Sequence, residues 1–461
     1  MSDCEPATHR RYPFFTGLAL LILVIGLAIR LCLAPLFTYP FDIEHWAVIL
    51  QNTESGNGLF GLTGYFYTPV WGYILGFEDL ILNLLPGMTY GERFTDLLEI
   101  EGMNFPYQTA TTTTPAFNVA MKLPLILVDV LVGYMVYRLV MSECGDERKA
   151  AIAFGIWFLC PIVIYMSSVQ AQFDCISAML TLLCVLLVRR NLFFLAGVMF
   201  TLAALIKFFP AFCIFLLCVY AFRSPAGNRS FRGLLLAAAG AVVAAAVVFL
   251  PQLLDGTLMN AFSFIFGRTS EYDWLMTVRI YPFIVFALLM MPVLALVAWR
   301  MDDGRLRGDF LVLVLLMLNI CTEFSPGPQY WIVYIPLLAY YIACRDRNRA
   351  LLVCMIAMGA ITTATAFLNN SFSILTTASE YLHLCDSQTV ISWMQALEGP
   401  VLGMPFTALA VTILEFVQLV FMLLVTLFLL SDLRLFDRYN RLNDILDKVR
   451  AILGGETHGQ A

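Results

Sequence analysis

The sequence predicts an all-α membrane protein, a polytopic bundle of transmembrane helices. Of its 461 residues, 60% are hydrophobic and only 13% are charged, whereas soluble domains typically carry roughly 25% charged residues. Apolar stretches such as 14–36 and 406–430 reach the roughly 20 residues that a helix needs to cross a bilayer. A soluble globular protein is therefore excluded as a class. We expect the lipid bilayer as a partner and no nucleic acid.

The distribution of positive charge predicts the topology. Clusters of Lys and Arg alternate along the chain with segments in which these residues are scarce. The positive-inside rule places the clusters in the cytoplasm, so 37–117, 166–173, 251–280, 321–329 and 369–405 are expected to face outward. About twelve crossings of the plasma membrane follow, with both termini in the cytoplasm. They are approximately 14–36, 118–140, 150–166, 174–188, 192–206, 208–222, 233–250, 281–299, 310–321, 330–343, 350–368 and 406–430.

One further apolar segment, 65–86, does not fit as a simple crossing because it would invert every later loop. It also contains Glu78 and Asp79. We therefore interpret it as a re-entrant or interfacial part of the first loop. Partly inserted backbone must be buried in protein or face a water-filled cavity, and a cavity is what an active site needs.

Two parts of the chain are expected: a transmembrane domain, 1–430, whose outer first loop is 37–117, and a cytoplasmic tail, 431–461. Apolar residues recur at helical spacing in the tail, which is typical of an amphipathic helix on the membrane surface or against a partner. The twelve cysteines are scattered without a C-x-x-C pair and predict neither a metal site nor a disulfide framework.

The first loop is the predicted location of the chemistry. It holds nine acidic residues, of which Asp42 and Glu44 stand out because they follow the first predicted helix at the expected membrane interface. Residues two apart share a face in an extended segment but not in a helix. A single principal carboxylate is therefore the simpler interpretation.

Ionisable residues inside a bundle are costly and suggest function. Asp174 and Lys207 lie near the outward ends of predicted crossings. For Lys207, a side chain that snorkels to the headgroups and a contact with a phosphate both remain open, whereas Asp129 is expected to hydrogen-bond between helices. The other polar residues predicted near this outer surface are Gln170, Gln172, Arg268 and Arg279.

A second outward segment, 322–331, breaks a helix with two prolines and a glycine. It supplies a carboxylate from Glu323, an amide from Gln329 and the aromatic rings of Tyr330 and Trp331. Tyr and Trp also belong to ordinary interfacial belts. The position of the segment at a helix mouth makes it a candidate lining of the site.

Four stretches of the sequence form a pattern. They are Arg30 followed by the acid of Tyr39-Pro40-Phe41-Asp42, then Tyr67-Thr68-Pro69, then Ala171-Gln172-Phe173-Asp174 with Lys207-Phe208-Phe209-Pro210, and Pro328-Gln329-Tyr330. Together these stretches resemble the GT-C superfamily, integral-membrane glycosyltransferases that use polyprenyl-phosphate-linked sugars, and in particular its bacterial mannosyltransferase-like members. Two departures from the family pattern are present: Ala171 stands where the family has Gly, and Thr68 where it often has Pro.

The resemblance implies an inverting transferase that moves a mannose-like hexose from a polyprenyl-phosphate donor to a lipid-linked or cell-envelope glycan acceptor. Asp42 would act as the general base, and Lys207, Arg268 and Arg279 would stabilise the departing phosphate. The scheme requires no cofactor; a divalent metal held by Asp42 with Glu44 or Asp174 is compatible with it but not required. The remaining implied substrate-binding residues are Glu44, Tyr67, Gln172, Asp174, Glu323, Gln329 and Tyr330.

Two alternatives come from other classes. A secondary transporter or lipid-linked glycan flippase would use the intramembrane charges as a pathway, but transporters tend to show repeated halves with paired broken helices, and the sequence shows none. A glycan ligase or polymerase would concentrate basic residues in a late outer loop, yet 369–405 has no Lys or Arg.

Overall fold

A computed structural model describes the fold. The described residues are 14–56, 58–60, 65, 67–86, 94–99, 109–223, 230–267, 274–322, 327–345, 349–370, 373–383, 385–435 and 440–454. The described chain is almost entirely helical, which confirms the predicted all-α class. The helices are α1 Gly17–Leu33, α2 Pro40–Glu54, α3 Pro69–Leu82, α4 Pro115–Cys144, α5 Glu147–Phe158, α6 Pro161–Ser168, α7 Asp174–Arg189, α8 Phe193–Ile206, α9 Ile214–Phe222, α10 Phe231–Leu254, α11 Leu258–Gly267, α12 Trp274–Arg300, α13 Asp303–Thr322, α14 Ile335–Cys344, α15 Arg349–Asn369, α16 Thr376–Leu382, α17 Ser387–Leu397, α18 Phe406–Asp432 and α19 Asn440–Gly454.

Short elements complete the chain. Within the described ranges, three segments are 3₁₀ helices: Phe209–Cys213, Pro328–Val333 and Ser373–Leu375. Strand β1, Phe94–Glu99, pairs antiparallel with β2, Thr109–Thr113, and β3, Pro400–Val401, pairs antiparallel with β4, Met404–Pro405.

The prediction of about twelve crossings is not confirmed. Among the described residues, four helices are long and apolar enough to cross a membrane: α4, α10, α15 and α18. Helices α5 and α6 would add a fifth as a single span, although they are bent by 51° where Pro161 starts α6. Other apolar helices are shorter than a crossing requires. Helix α8 has 14 residues and, at 1.5 Å per residue, extends only about 21 Å, whereas the hydrocarbon core of a bilayer is about 30 Å thick.

A buried ion pair joins α1 to α4. The Arg30 guanidinium lies 3.0 Å from the Asp129 carboxylate, and both side chains are fully buried. Arg30 also donates to the carbonyl of Phe158 at 2.8 Å and lies 4.1 Å from the centre of its ring. Asp129 is therefore the interhelical partner expected from the sequence, because a charge in this position is tolerated only when it is paired.

Small residues bring α8 and α10 into close contact. A Cβ atom added at Gly197 would lie 2.0 Å from the carbonyl oxygen of Ala237, and one added at Gly240 would lie 2.0 Å from that of Phe194. The two backbones therefore touch across the glycines, as small residues allow between membrane helices.

The bundle has two chemically distinct ends. The end at which α1 ends and α4, α7 and the 3₁₀ helix Pro328–Val333 begin is here called the loop end. The opposite end, here called the arginine end, holds the ion pairs Arg189–Glu143, Arg223–Asp303, Arg345–Asp309 and Arg450–Asp432.

A buried lysine shapes the chain between α1 and α2. The Lys122 ammonium donates to the carbonyls of Ala34 at 2.9 Å and Phe37 at 2.7 Å, and to the hydroxyl of Thr38 at 2.8 Å. The last carbonyls of a helix have no partner within it. Lys122 satisfies one of these carbonyls and holds the turn that leads into α2.

Candidate active site

Asp42 lies at the loop end, in the first turn of α2. Only 7% of its surface is exposed. Its Oδ2 atom accepts two hydrogen bonds, from the Nε2 of Gln170 at 2.9 Å and from the Nε2 of Gln172 at 2.7 Å. The two amides fix the orientation of the carboxylate.

The turn between α6 and α7 brings both glutamines to Asp42. Ala171 lies between them with φ of 56°, in the left-handed region that favours glycine. The carbonyl of Ala171 accepts a hydrogen bond from the indole nitrogen of Trp46 at 3.2 Å. The backbone N–H of Gln172 donates to the backbone carbonyl of Met166 at 2.9 Å. Because Trp46 lies on the same helix as Asp42, this contact ties α2 to the glutamine turn.

Lys207 reaches the same region from the end of α8. Its ammonium lies 3.3 Å from the Asp174 carboxylate. Three aromatic rings surround it, with centres 4.6 Å away for Phe173, 5.1 Å for Tyr330 and 5.7 Å for Tyr67. Cations are attracted to ring faces at such distances. Lys207 is only 8% exposed and therefore does not snorkel to the headgroups.

Aromatic packing holds the walls of this region. The Phe173 ring stacks on Trp71 with centres 4.3 Å apart and meets Tyr67 edge-on at 5.1 Å. The hydroxyl of Thr68 donates to the carbonyl of Leu205, two residues before Lys207. The segment 67–71 is thereby attached both to the glutamine turn and to the end of α8.

The environment of Asp42 suits a proton acceptor. Burial raises the pKa of the Asp42 carboxyl from 3.8 to about 6. The two glutamine amides and the charge of Lys207 lower this pKa, and the charge of Asp174 raises it. A base is most effective when its pKa lies near the working pH. Burial also lowers the pKa of His45 to about 4, so its imidazole is neutral at pH 7.

Six of the residues predicted for the site surround this one region of the loop end: Asp42, Gln172, Asp174, Lys207, Tyr67 and Tyr330. Gln329 lies next to Tyr330 in the 3₁₀ helix. Arg268 and Glu323 lie outside the described residues, as do the side chains of Glu44 and Arg279. In the part of the chain that is described, no group of three or more His, Cys, Asp and Glu side chains is placed to hold a metal ion.

Two residues outside the predicted binding set matter here: Gln170, which contacts Asp42, and Lys122, which holds the turn that leads into α2. Gln170 was placed near the outer surface but not among the binding residues, although it contacts Asp42. Lys122 is not among the predicted site residues either. It lies within the predicted crossing 118–140, where an ionisable side chain is costly and therefore suggests a specific role.

Comparison with known protein families gives a match over part of the chain. The model of glycosyltransferase family 87 matches residues 114–322, slightly less than half of the chain. No curated protein matches the chain. The matched segment contains the glutamine turn, Asp174 and Lys207, whereas Asp42 precedes it. The matched segment is similar to a GT-C-type family of membrane glycosyltransferases, and this match supports a transferase activity for the chain.

Proposed function

We propose that this enzyme transfers a mannose-like hexose from a polyprenyl-phosphate donor to a hydroxyl of a lipid-linked or cell-envelope acceptor, with inversion at the anomeric carbon. The observation that carries the proposal is the buried Asp42 carboxylate, oriented by two amides and within electrostatic reach of Lys207. Buried titratable groups with specific charge partners are typical of functional sites.

The proposed step is a single displacement. The oxygen of the acceptor hydroxyl attacks the anomeric carbon while its proton passes to Asp42. The bond between that carbon and the phosphate oxygen breaks on the opposite face, and its electron pair leaves on the polyprenyl phosphate. General-base assistance of this kind contributes typically about 10²–10⁴-fold.

Lys207 is proposed to stabilise the departing phosphate, together with Arg268 and Arg279. A fixed cation acts strongly where water is excluded, and Lys207 is held among three rings and Asp174. Glu44, Gln172, Asp174, Glu323 and Gln329 are proposed to bind sugar hydroxyls, and Tyr67 and Tyr330 to line the sugar site.

The charge distribution supports a site that faces outward. The ion-paired arginines lie at the arginine end, and the candidate site lies at the loop end. Since positive charge is retained on the cytoplasmic side, we propose that the loop end faces outward and that both termini lie in the cytoplasm. The amphipathic helix α19 is then cytoplasmic, as part of the proposed tail 431–461.

The test uses the full chain reconstituted in liposomes, with radiolabelled polyprenyl-phosphate mannose as donor and octyl mannoside as acceptor. We expect Asp42→Asn to lower kcat by about 10²-fold or more without changing the elution of the protein in size-exclusion chromatography. Asp255→Asn is the matched control, since Asp255 is fully exposed at the end of α10 and its loss should leave kcat unchanged.

Three results would overturn parts of the proposal. A wild-type kcat in Asp42→Asn would contradict the assignment of Asp42 as the base. Transfer from GDP-mannose, but not from the polyprenyl-phosphate donor, would contradict the proposed donor class. A product whose anomeric configuration matches that of the donor, determined by NMR, would contradict a single displacement.

A further inference from the structure

The two glutamines that hold Asp42 each have an unused hydrogen-bonding atom. The Oε1 atoms of Gln170 and Gln172 are buried and have no hydrogen-bond partner among the described residues. Gln172 as a whole is only 4% exposed. Buried polar atoms are nearly always paired in folded proteins, so two such atoms beside one carboxylate indicate a ligand that supplies donors.

The orientation of the two amides follows from the carboxylate. An ionised carboxylate can only accept hydrogen bonds, so an amide beside it must present its NH₂ group rather than its oxygen. Both Nε2 atoms contact the same oxygen, Oδ2 of Asp42, at 2.9 and 2.7 Å. Each amide oxygen is therefore turned away from the carboxylate and is available only for hydrogen bonds from another group.

We propose that Gln170 and Gln172 are the specificity-determining residues for the acceptor: their amide oxygens accept hydrogen bonds from two hydroxyls that neighbour the attacking hydroxyl. The ligand class is a polyhydroxylated acceptor, a sugar ring, rather than an alcohol with one hydroxyl. This inference rests on the proposed function, because it requires that Asp42 is the base. The proton leaves toward Asp42, so the atoms next to that carboxylate face the acceptor rather than the donor.

The same amides also position the base. Their N–H groups lower the pKa of Asp42, because hydrogen bonds to the charged form favour it. Among the side chains that the structure describes, the charged groups that act on Asp42 are Lys207, at the end of α8, and Asp174, at the start of α7. His45, on α2 itself, is neutral at pH 7. Loss of one amide should therefore raise the pKa of Asp42 while these charges stay in place.

The experiment compares Gln170→Met and Gln172→Met with wild type in the reconstituted full chain. For each variant we expect the KM for octyl mannoside to rise about tenfold, as for one lost hydrogen bond, while the KM for the polyprenyl-phosphate donor stays unchanged. The acidic limb of kcat/KM should move to higher pH, which a loss of packing alone would not cause. Gln252→Met is the matched control, since Gln252 is a buried glutamine on α10 that accepts a hydrogen bond from Tyr73.

Monodeoxy octyl mannosides test the same contacts without any change in the protein. In wild type, removal of a hydroxyl next to the attacking one should raise the KM about tenfold. The effects should not add to those of the glutamine variants, because both remove the same hydrogen bond. Fully additive effects, an unchanged acidic limb, or a rise in the donor KM instead of the acceptor KM would overturn the inference.

The two proposals can fail separately. If Asp42→Asn keeps wild-type kcat, the base assignment fails and this inference fails with it. If Asp42→Asn loses activity while both glutamine variants keep wild-type acceptor KM and pH profile, only the inference on acceptor specificity is wrong. Should one glutamine variant not fold, the other variant and the deoxy acceptors still decide.

Discussion

Replacement of Lys122 by methionine should destabilise the whole loop end. The fully buried ammonium donates to three oxygen acceptors in the turn between α1 and α2, at 2.7 to 2.9 Å. Two of these partners are carbonyls, which can only accept, so the Lys122 nitrogen supplies the hydrogens of at least two of the three hydrogen bonds. Methionine has a similar length but no donor.

The expected cost follows from the acceptors that lose their partner. Each buried acceptor without a donor costs about 1–3 kcal/mol, whereas removal of the side-chain nitrogen also relieves the cost of having buried that polar group. We therefore take the lower value for each of the three and expect a loss of about 3 kcal/mol in the free energy of unfolding. Since the turn leads directly into α2, Asp42 should also be displaced, and kcat should fall by about 10²-fold, as for misplacement by about 1 Å.

The assay is reversible unfolding of the detergent-solubilised chain by titration with SDS, with kcat measured in liposomes. Lys448→Met is the matched control, because Lys448 is an exposed lysine on α19. Thr38→Val removes a single acceptor and should cost about 1 kcal/mol. An unfolding free energy for Lys122→Met within about 0.5 kcal/mol of wild type, the range of ordinary surface substitutions, would refute the reasoning.

Three further outcomes are expected. The kcat/KM should rise with pH through about 6, the pKa of Asp42, because the base must be ionised; a flat profile between pH 5 and 8 would contradict this. Ala171→Val should lower the free energy of unfolding by about 2 kcal/mol through its left-handed φ of 56°, while Ala171→Gly should be tolerated, and equal effects of the two would argue against backbone strain. Gly240→Ala should lower the free energy of unfolding by about 1–3 kcal/mol, because its Cβ would lie 2.0 Å from the Phe194 carbonyl oxygen. Gly308→Ala, with open space around the Cβ, is the control. Equal stabilities of the two variants would contradict the close α8–α10 contact.

The helical class was predictable from composition, but the lengths of the individual helices were not. A crossing was expected at 150–166, yet Pro161 starts a new helix and bends the pair by 51°. Hydropathy indicates which residues avoid water, but it does not show where a helix ends and another begins inside an apolar run. The same limit applies to 192–206, where the apolar run is clear but α8 has only 14 residues.

For the site, the sequence indicated which residue types are costly but not which of them meet. Asp42, Asp174 and Lys207 were selected because charge near or within a membrane is expensive. That Gln170 contacts Asp42 depends on the left-handed backbone at Ala171, and an alanine taken by itself does not predict such a turn. The departure of Ala171 from the family glycine was visible in the sequence and could have indicated a strained turn.

The charges of the site indicate that Lys207 alone cannot balance the negative charge of a bound phosphate. Of the described side chains, Lys207 is the cation whose charge acts on Asp42, and it already pairs with Asp174 at 3.3 Å. Two ionised carboxylates and one ammonium leave a negative charge in excess, so an incoming phosphate would meet repulsion in a buried setting where screening is weak. Donor binding at neutral pH therefore requires either a proton on one carboxylate or further positive charge. A protonated Asp42 could not act as a base, and the Lys207 ammonium at 3.3 Å favours the ionised form of Asp174. We therefore expect the additional charge to come from Arg268 and Arg279, with Lys207 holding Asp174 in place as well as contacting the phosphate.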